Sequence, residues 1–261
     1  MKKNNIEINL LTIILIETII LLFFFKESFL NIIISWILSL FTIPLINKIK
    51  KNKLIDMIII IITSFILIIL LKEITTFITF NLLKNYSNII IMITIIMISF
   101  IITNNGYHPF IKTLEIASYF YLLIKLISFI LIIPNINVNN FNEQLINELT
   151  INSNIIYILG TFIITLILIK YTTNKLPNKK IYLVSLINPI IIKLISILVI
   201  GKTLFNLYNY PYINTLKRIK YLDFIERMEG ILSLEYLFCF FLTISFALFI
   251  IRNIIHNIKN N

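Results

Sequence analysis

In 261 residues the chain has one cysteine, two histidines, four glycines and six prolines. A single thiol excludes a disulfide framework and a four-cysteine metal site. So little glycine and proline excludes a collagenous or flexible low-complexity chain. Charge is scarce as well: 13% of residues are Asp, Glu, Lys or Arg against 59% hydrophobic, and a soluble domain carries about one quarter charged. No GxSxG, HExxH or dinucleotide fingerprint occurs. Gly201-Lys202-Thr203 has the end of a phosphate-binding loop, but Ser196 stands where that motif needs its first glycine. His108 and His256 lie far apart and Cys239 sits in an apolar run, so neither a metal nor a cofactor site is expected.

What the sequence has in abundance is apolar runs of membrane-spanning length. A hydrocarbon core of ~30 Å takes roughly 20 residues of helix. On that measure there are eight segments: Ile8–Phe25, Phe29–Ile46, Leu54–Leu71, Asn88–Thr103, Leu114–Ile133, Ile155–Lys170, Ile181–Ile200 and Ile231–Ile251. The residues Ile74–Leu83 either prolong the third segment or lie along the interface. Isoleucine dominates, and with Asn and Lys it reflects A/T-rich codons as much as structure. It favours strands in water, but no alternation occurs and the runs far exceed a barrel strand of ~10 residues. In lipid a helix satisfies its own backbone, so the expected fold is an all-α polytopic membrane bundle.

Lys2 and Lys3 ahead of the first run imitate a signal peptide, but the run ends in Phe23, Phe24, Phe25, Lys26 and Glu27 without a small-residue cleavage site, so it reads as a retained span. The net charge of +11 does not point to nucleic acid, because the basic residues sit in short loops, where they set orientation. With the N-terminus in the cytoplasm, the inner loops hold Lys48, Lys50, Lys51, Lys53, Lys112, Lys170, Lys175, Lys179, Lys180, Arg252 and Lys259. The first three outer segments hold Lys26, Lys72 and Lys84, and the Pro134–Asn154 loop has no basic residue. Gly201–Gly230 breaks the bias with Lys202, Lys217, Arg218, Lys220 and Arg227, which marks a long outer segment or one folded back into the protein.

A charge at the centre of a span costs ~2.5–3.5 kcal/mol on insertion scales and normally faces a bundle interior with a partner. Glu17 is midway along the first segment beside Thr12 and Thr18; Lys193 is near the middle of the seventh; Glu235 is one turn into the eighth. Lys112 and Glu115, three apart, share a helix face and can pair. Lys125 and Lys193 have no local acid, so each needs a partner on another helix or in water. Lys125 and Lys170 can alternatively reach the interface along their own methylenes. Glycine and proline mark Gly106, Pro109, Pro134, Gly160, Pro189 and Gly201. Pro189 is expected to kink the seventh segment, and Gly160-Thr161 holds the only glycine of the sixth; broken helices of this kind are where transporters place ligands, and either feature can equally serve packing. Ahead of the last segment, Asp223 can cap a helix with Glu226 three residues on. Thus Glu17, Thr18, Gly160, Thr161 and Lys193 are candidate pocket residues.

Two stretches carry a family resemblance. Gly106-Tyr107-His108-Pro109-Phe110-Ile111-Lys112-Thr113-Leu114-Glu115-Ile116, and Tyr210-Pro211 through Arg218-Ile219 to Phe224-Ile225-Glu226-Arg227-Met228-Glu229, resemble segments of the membrane permease (B) subunit of spore germinant receptors, in the amino acid–polyamine–organocation transporter superfamily. Lys112 stands at an Arg position, Glu115 at a Glu position, and His108 where a Glu is usual; Trp36 falls where the family commonly has Trp. The resemblance covers roughly residues 8–250. It implies a permease-like architecture of inverted five-helix repeats, here five plus three: residues 1–133, an extracellular loop at 134–154, and an incomplete second repeat at 155–261. It further implies that Lys112, Glu115, Tyr210, Pro211, Arg218, Glu226, Arg227 and Glu229 serve coupling. Partners would be a small nutrient such as an amino acid and the other germinant-receptor subunits, in a spore inner membrane. The family has ten spans and a glycine break in the first, and both departures favour sensing over active transport.

Three functions follow as expectations. The first is a nutrient-sensing, non-enzymatic receptor subunit whose pocket draws on polar groups of the first, fifth, sixth and eighth segments. The second is an amino acid secondary transporter using Glu17 or Glu115. The third is a membrane glycan ligase or polymerase whose basic outer loop holds a lipid-linked phosphate, a reading that Asp223, Glu226 and Glu229 oppose.

Overall fold

The computed structural model describes residues 2–49, 52–81, 83, 86–104, 106–137, 140, 150–173, 175–218 and 233–260. The helices are α1 (Lys2–Ile19), continued by a π-helical turn over Ile20–Phe24; α2 (Phe29–Lys48); α3 (Lys53–Asn81); α4 (Asn88–Asn104); and α5 (Tyr107–Ile132), closed by a 3-10 turn over Ile133–Asn135. They continue with α6 (Ile155–Thr173), α7 (Lys179–Ile200), the short α8 (Lys202–Leu207) and α9 (Pro211–Leu216), and α10 (Leu234–Asn260). Among the described residues there is no strand. Backbone self-satisfaction outranks the strand preference of isoleucine, as apolar surroundings require.

Among the described residues six helices, α2, α3, α5, α6, α7 and α10, are long and apolar enough to cross a membrane, and the protein is an integral membrane protein. The expected eight spans are not all of that quality. α4 has 17 residues, and α1 carries Lys2, Lys3, Glu7 and Glu17. The stretch from Ile74 prolongs α3 without a break to Asn81. α6 runs on through Gly160, and α7 continues through Pro189.

Contacts at the helix ends establish the packing. At one end Lys170 of α6 donates to the carbonyls of Ile46, Asn47 and Ile49 at 2.5, 2.9 and 2.9 Å, and the Tyr171 hydroxyl donates to Asp56 of α3 at 2.8 Å. Arg252 of α10 donates to the Thr103 carbonyl of α4 at 2.6 Å, and Phe249 stacks on Phe110 of α5. At the other end Ser28 donates to the Thr150 carbonyl at 2.7 Å, the Asn137 N–H to the Leu198 carbonyl at 3.2 Å, and Thr76 meets Tyr210 at 3.1 Å. Consecutive long helices therefore run antiparallel. The first end collects Lys48, Lys53, Lys112, Lys170, Lys175, Lys179, Lys180 and Arg252.

α10 is the central helix, mostly buried where most of α3 is not. It packs on α1, α3, α4, α5 and α6, and α1 packs in turn on α7. The α1–α10 contact is close because small side chains meet there: the Thr18 hydroxyl lies 2.8 Å from Thr243 and 2.9 Å from the Cys239 sulfur. Gly201, at φ +80°, separates α7 from α8 in a conformation that favours glycine.

Candidate functional site

Three ionisable side chains meet in the bundle interior. Glu17 of α1, Lys125 of α5 and Glu235 of α10 are 0%, 3% and 2% exposed, which puts the whole group out of reach of bulk water. The Lys125 ammonium forms an ion pair with Glu17 Oε1 and lies 3.5 Å from Glu235 Oε1. The outer oxygens are also satisfied. Asn188 of α7 donates to Glu17 Oε2 at 2.7 Å, and the Tyr212 hydroxyl of α9 donates to Glu235 Oε2 at 2.9 Å. Lys125 further donates to the Tyr121 hydroxyl one turn back at 2.5 Å. Five helices thus supply one continuous polar cluster with a donor at each carboxylate oxygen. Buried charges persist only when paired and hydrogen-bonded in this way.

The local sequence explains how the cluster is built. Tyr121, Lys125 and Ser128 recur at helical spacing, so they form one buried polar stripe on α5. Glu17 and Thr18 are adjacent, so α1 turns the carboxylate toward α5 while Thr18 faces α10. α9 enters the bundle side-on: Pro211, Tyr212, Ile213, Thr215 and Leu216 are all buried. The segment that breaks the charge bias therefore folds back into the protein, at least through Arg218. Burial pushes the Tyr212 phenol up from its ordinary value, and the neighbouring Glu235 adds to the rise, so Tyr212 stays protonated and remains a donor. With both acids ionised the cluster carries one net negative charge; with one shared proton it is neutral.

A cavity of about 440 Å³ lies beside this cluster, between α1, α3, α6 and α10. Thr18, Thr161 and Thr165 line it, and no ionisable side chain does so among the described residues. A smaller pocket of about 130 Å³ near the opposite end from the lysine-rich loops is lined by Lys26, Asn209, Tyr210, Pro211, Tyr212 and Tyr236.

No family model, no curated protein and no solved structure matches the chain.

The structure divides the expected pocket residues. Glu17 enters the polar cluster, whereas Thr18 and Thr161 line the apolar cavity, with Gly160 half-buried next to it. Lys193 is buried elsewhere: it donates to the Glu27 carbonyl and sits 4.4 Å from the centre of the Phe29 ring. Lys125 points inward to two acids, and Lys170 binds the carbonyls that end α2. Lys112 is exposed and Glu115 half-buried, and no ion pair joins them. Tyr210 and Pro211 line the small pocket, and Tyr210 donates to Glu73 at 3.4 Å. Of the basic segment that follows α7, Arg218 donates to the Val199 carbonyl and Lys217 to Asn81. Asp223, Glu226, Arg227 and Glu229 lie outside the described residues. Nothing in the sequence singles out Asn188 or Tyr212 as members of the cluster, whereas the polar spacing on α5 is a signal for Tyr121.

Proposed function

We propose that the protein is a permease-like receptor subunit of the membrane, of the kind that serves spore germination, and that it senses a small nutrient through the Glu17–Lys125–Glu235 cluster. All eight long helices cross the bilayer in this reading, with the N-terminus and the lysine-rich end in the cytoplasm. The five helices through α5 correspond to one inverted repeat, and α6, α7 and α10 to part of the other. One observation carries the proposal. Polar groups of the first, fifth and last long helices converge on a shared ionic centre, as a permease fold would bring them together. A nutrient such as an amino acid would be read there, because the apolar cavity offers neither an acid for an ammonium nor a base for a carboxylate. Spores carrying Tyr212→Phe or Glu235→Gln, which leave Lys125 in place between the acids, are expected to keep the protein and lose the nutrient response. An unchanged response in both variants contradicts the proposal.

The surplus of one carboxylate in the cluster favours a second reading, an amino acid secondary transporter that carries a proton at this centre. Protein in liposomes would then take up an amino acid along an imposed proton gradient, and Glu235→Gln would abolish that coupling. Absence of gradient-driven uptake removes this reading and leaves the sensing one intact.

A further inference from the structure

We infer that the cavity between α1, α3, α6 and α10 holds an acyl chain of a membrane lipid. This goes beyond the sensing proposal and stands whether or not the ionic cluster reads a nutrient.

The chemistry of the wall decides against water and against a zwitterion. The polar side chains on it are threonines, and each hydroxyl has a carbonyl of its own helix as a partner, Thr18 also meeting Thr243 across the α1–α10 contact. Thr63 donates to the Ile59 carbonyl at 2.7 Å, Thr161 to Ile158 at 2.8 Å, Thr165 to Thr161 at 2.7 Å and Thr243 to Cys239 at 2.9 Å. Thr18 does the same with Ile14 at 2.8 Å. Their hydrogens are engaged, so they show the cavity methyl groups and little else. A water needs two to four polar partners, and a carboxylate or ammonium needs more. Nor does the space stay empty. It is about three times a ~150 Å³ engineered apolar cavity that remains dry yet takes up benzene, and protein interiors rarely tolerate voids much larger than a water molecule.

The position of the mouth selects the occupant. Ile61 and Phe65 stand on its rim, 69% and 65% exposed, with Phe23 opposite at 39%. On α3 the series Ile58, Ile61, Phe65, Ile68 is one outward stripe at helical spacing, and α3 is a membrane-crossing helix in composition and length. The surface that α3 presents to hydrocarbon thus runs unbroken into the cavity. What lies against that surface in a bilayer is acyl chain, and no polar side chain guards the entrance among the described residues.

The test uses the purified full chain in nanodiscs made with a phospholipid that carries a photoreactive diazirine on its acyl chain, with labelled positions mapped by mass spectrometry. Label is expected on both Thr63 and Thr165, which face the cavity from different helices, besides outward residues such as Ile68. Ala247→Trp, which fills the cavity from α10, is expected to remove the label from Thr63 and Thr165 and leave that on Ile68. Label confined to Ile68 and its outward neighbours in the unmodified chain overturns the inference, and that map decides even if the tryptophan variant does not fold. Retention of the Thr63 and Thr165 label in a folded Ala247→Trp protein overturns it too, as does displacement of that label by free leucine.

Discussion

Single side chains decide whether the centre of this bundle is stable. Lys125 bridges two carboxylates that have no access to water, so its ammonium holds together groups that would otherwise repel one another across α1 and α10. Glu235 is the more replaceable of the acids. In Glu235→Gln the amide oxygen still accepts from Lys125, and the Tyr212 oxygen can take a hydrogen bond from the amide nitrogen. The surplus negative charge also disappears. The expected cost is about 1 kcal/mol, the scale of one hydrogen bond, read as unfolding free energy in detergent. A loss several times larger would mean that both carboxylates must be charged in the folded protein. Much of this was legible beforehand: the central position of Glu17 and the want of a local acid at Lys125 both demanded partners on other helices. Which partners was not legible, because Glu17 and Lys125 are 108 residues apart and their meeting depends on how α1 packs against α5. The same limit separates Lys193 from the cluster. Its depth in α7 is visible in the sequence, but the rotation that aims it at Glu27 is set by packing.

At the scale of the element, basic residues recur at helix C-termini. The last carbonyls of a helix lack an internal donor and lie at the negative end of its dipole, so a cation there is favourable twice over. Lys170 serves α2 in this way, Arg252 serves α4, Arg218 serves α7, and Lys26 donates to Asn206 in α8 at 2.9 Å. Residues that read as interface-seeking or coupling charges are thus placed as caps on neighbouring helices. Lys170→Met is expected to cost about 1–2 kcal/mol and to speed amide exchange in the last turn of α2 while the last turn of α7 exchanges unchanged. Equal acceleration in both turns would show a global effect instead of a lost cap. The existence of the long helices was plain from their apolar runs; their ends were not. Lys179 and Lys180 in the first turn of α7, and the polar turns closing α10, are helical yet invisible to an apolar criterion. α8 and α9 have six residues each, too short for a periodic pattern, so the fold-back that delivers Tyr212 showed only as an unexplained excess of charge.

For the whole molecule, the antiparallel order of the helices gathers the lysine-rich loops at one end. That arrangement converts a statistical bias in sequence into a geometric asymmetry. The proposed orientation follows from it: cysteines placed at Lys112 and Lys179 should be protected from an impermeant thiol reagent added outside intact cells, and one at Asn140 should react. The background is Cys239→Ala, although the native thiol is buried. Reaction at Lys179 and protection at Asn140 would reverse the orientation, and reaction at all three would break the antiparallel order itself. The central claim is that α1, α5 and α10 are held in one bundle by a mutually dependent ionic centre. A double-mutant cycle on Glu17→Gln and Lys125→Met, read as unfolding free energy in one detergent, tests it most directly. Lys125→Met alone is expected to cost about 3–5 kcal/mol because it leaves buried carboxylates without their cation. The double variant should cost clearly less than the two single losses together, whereas strictly additive losses would contradict the account.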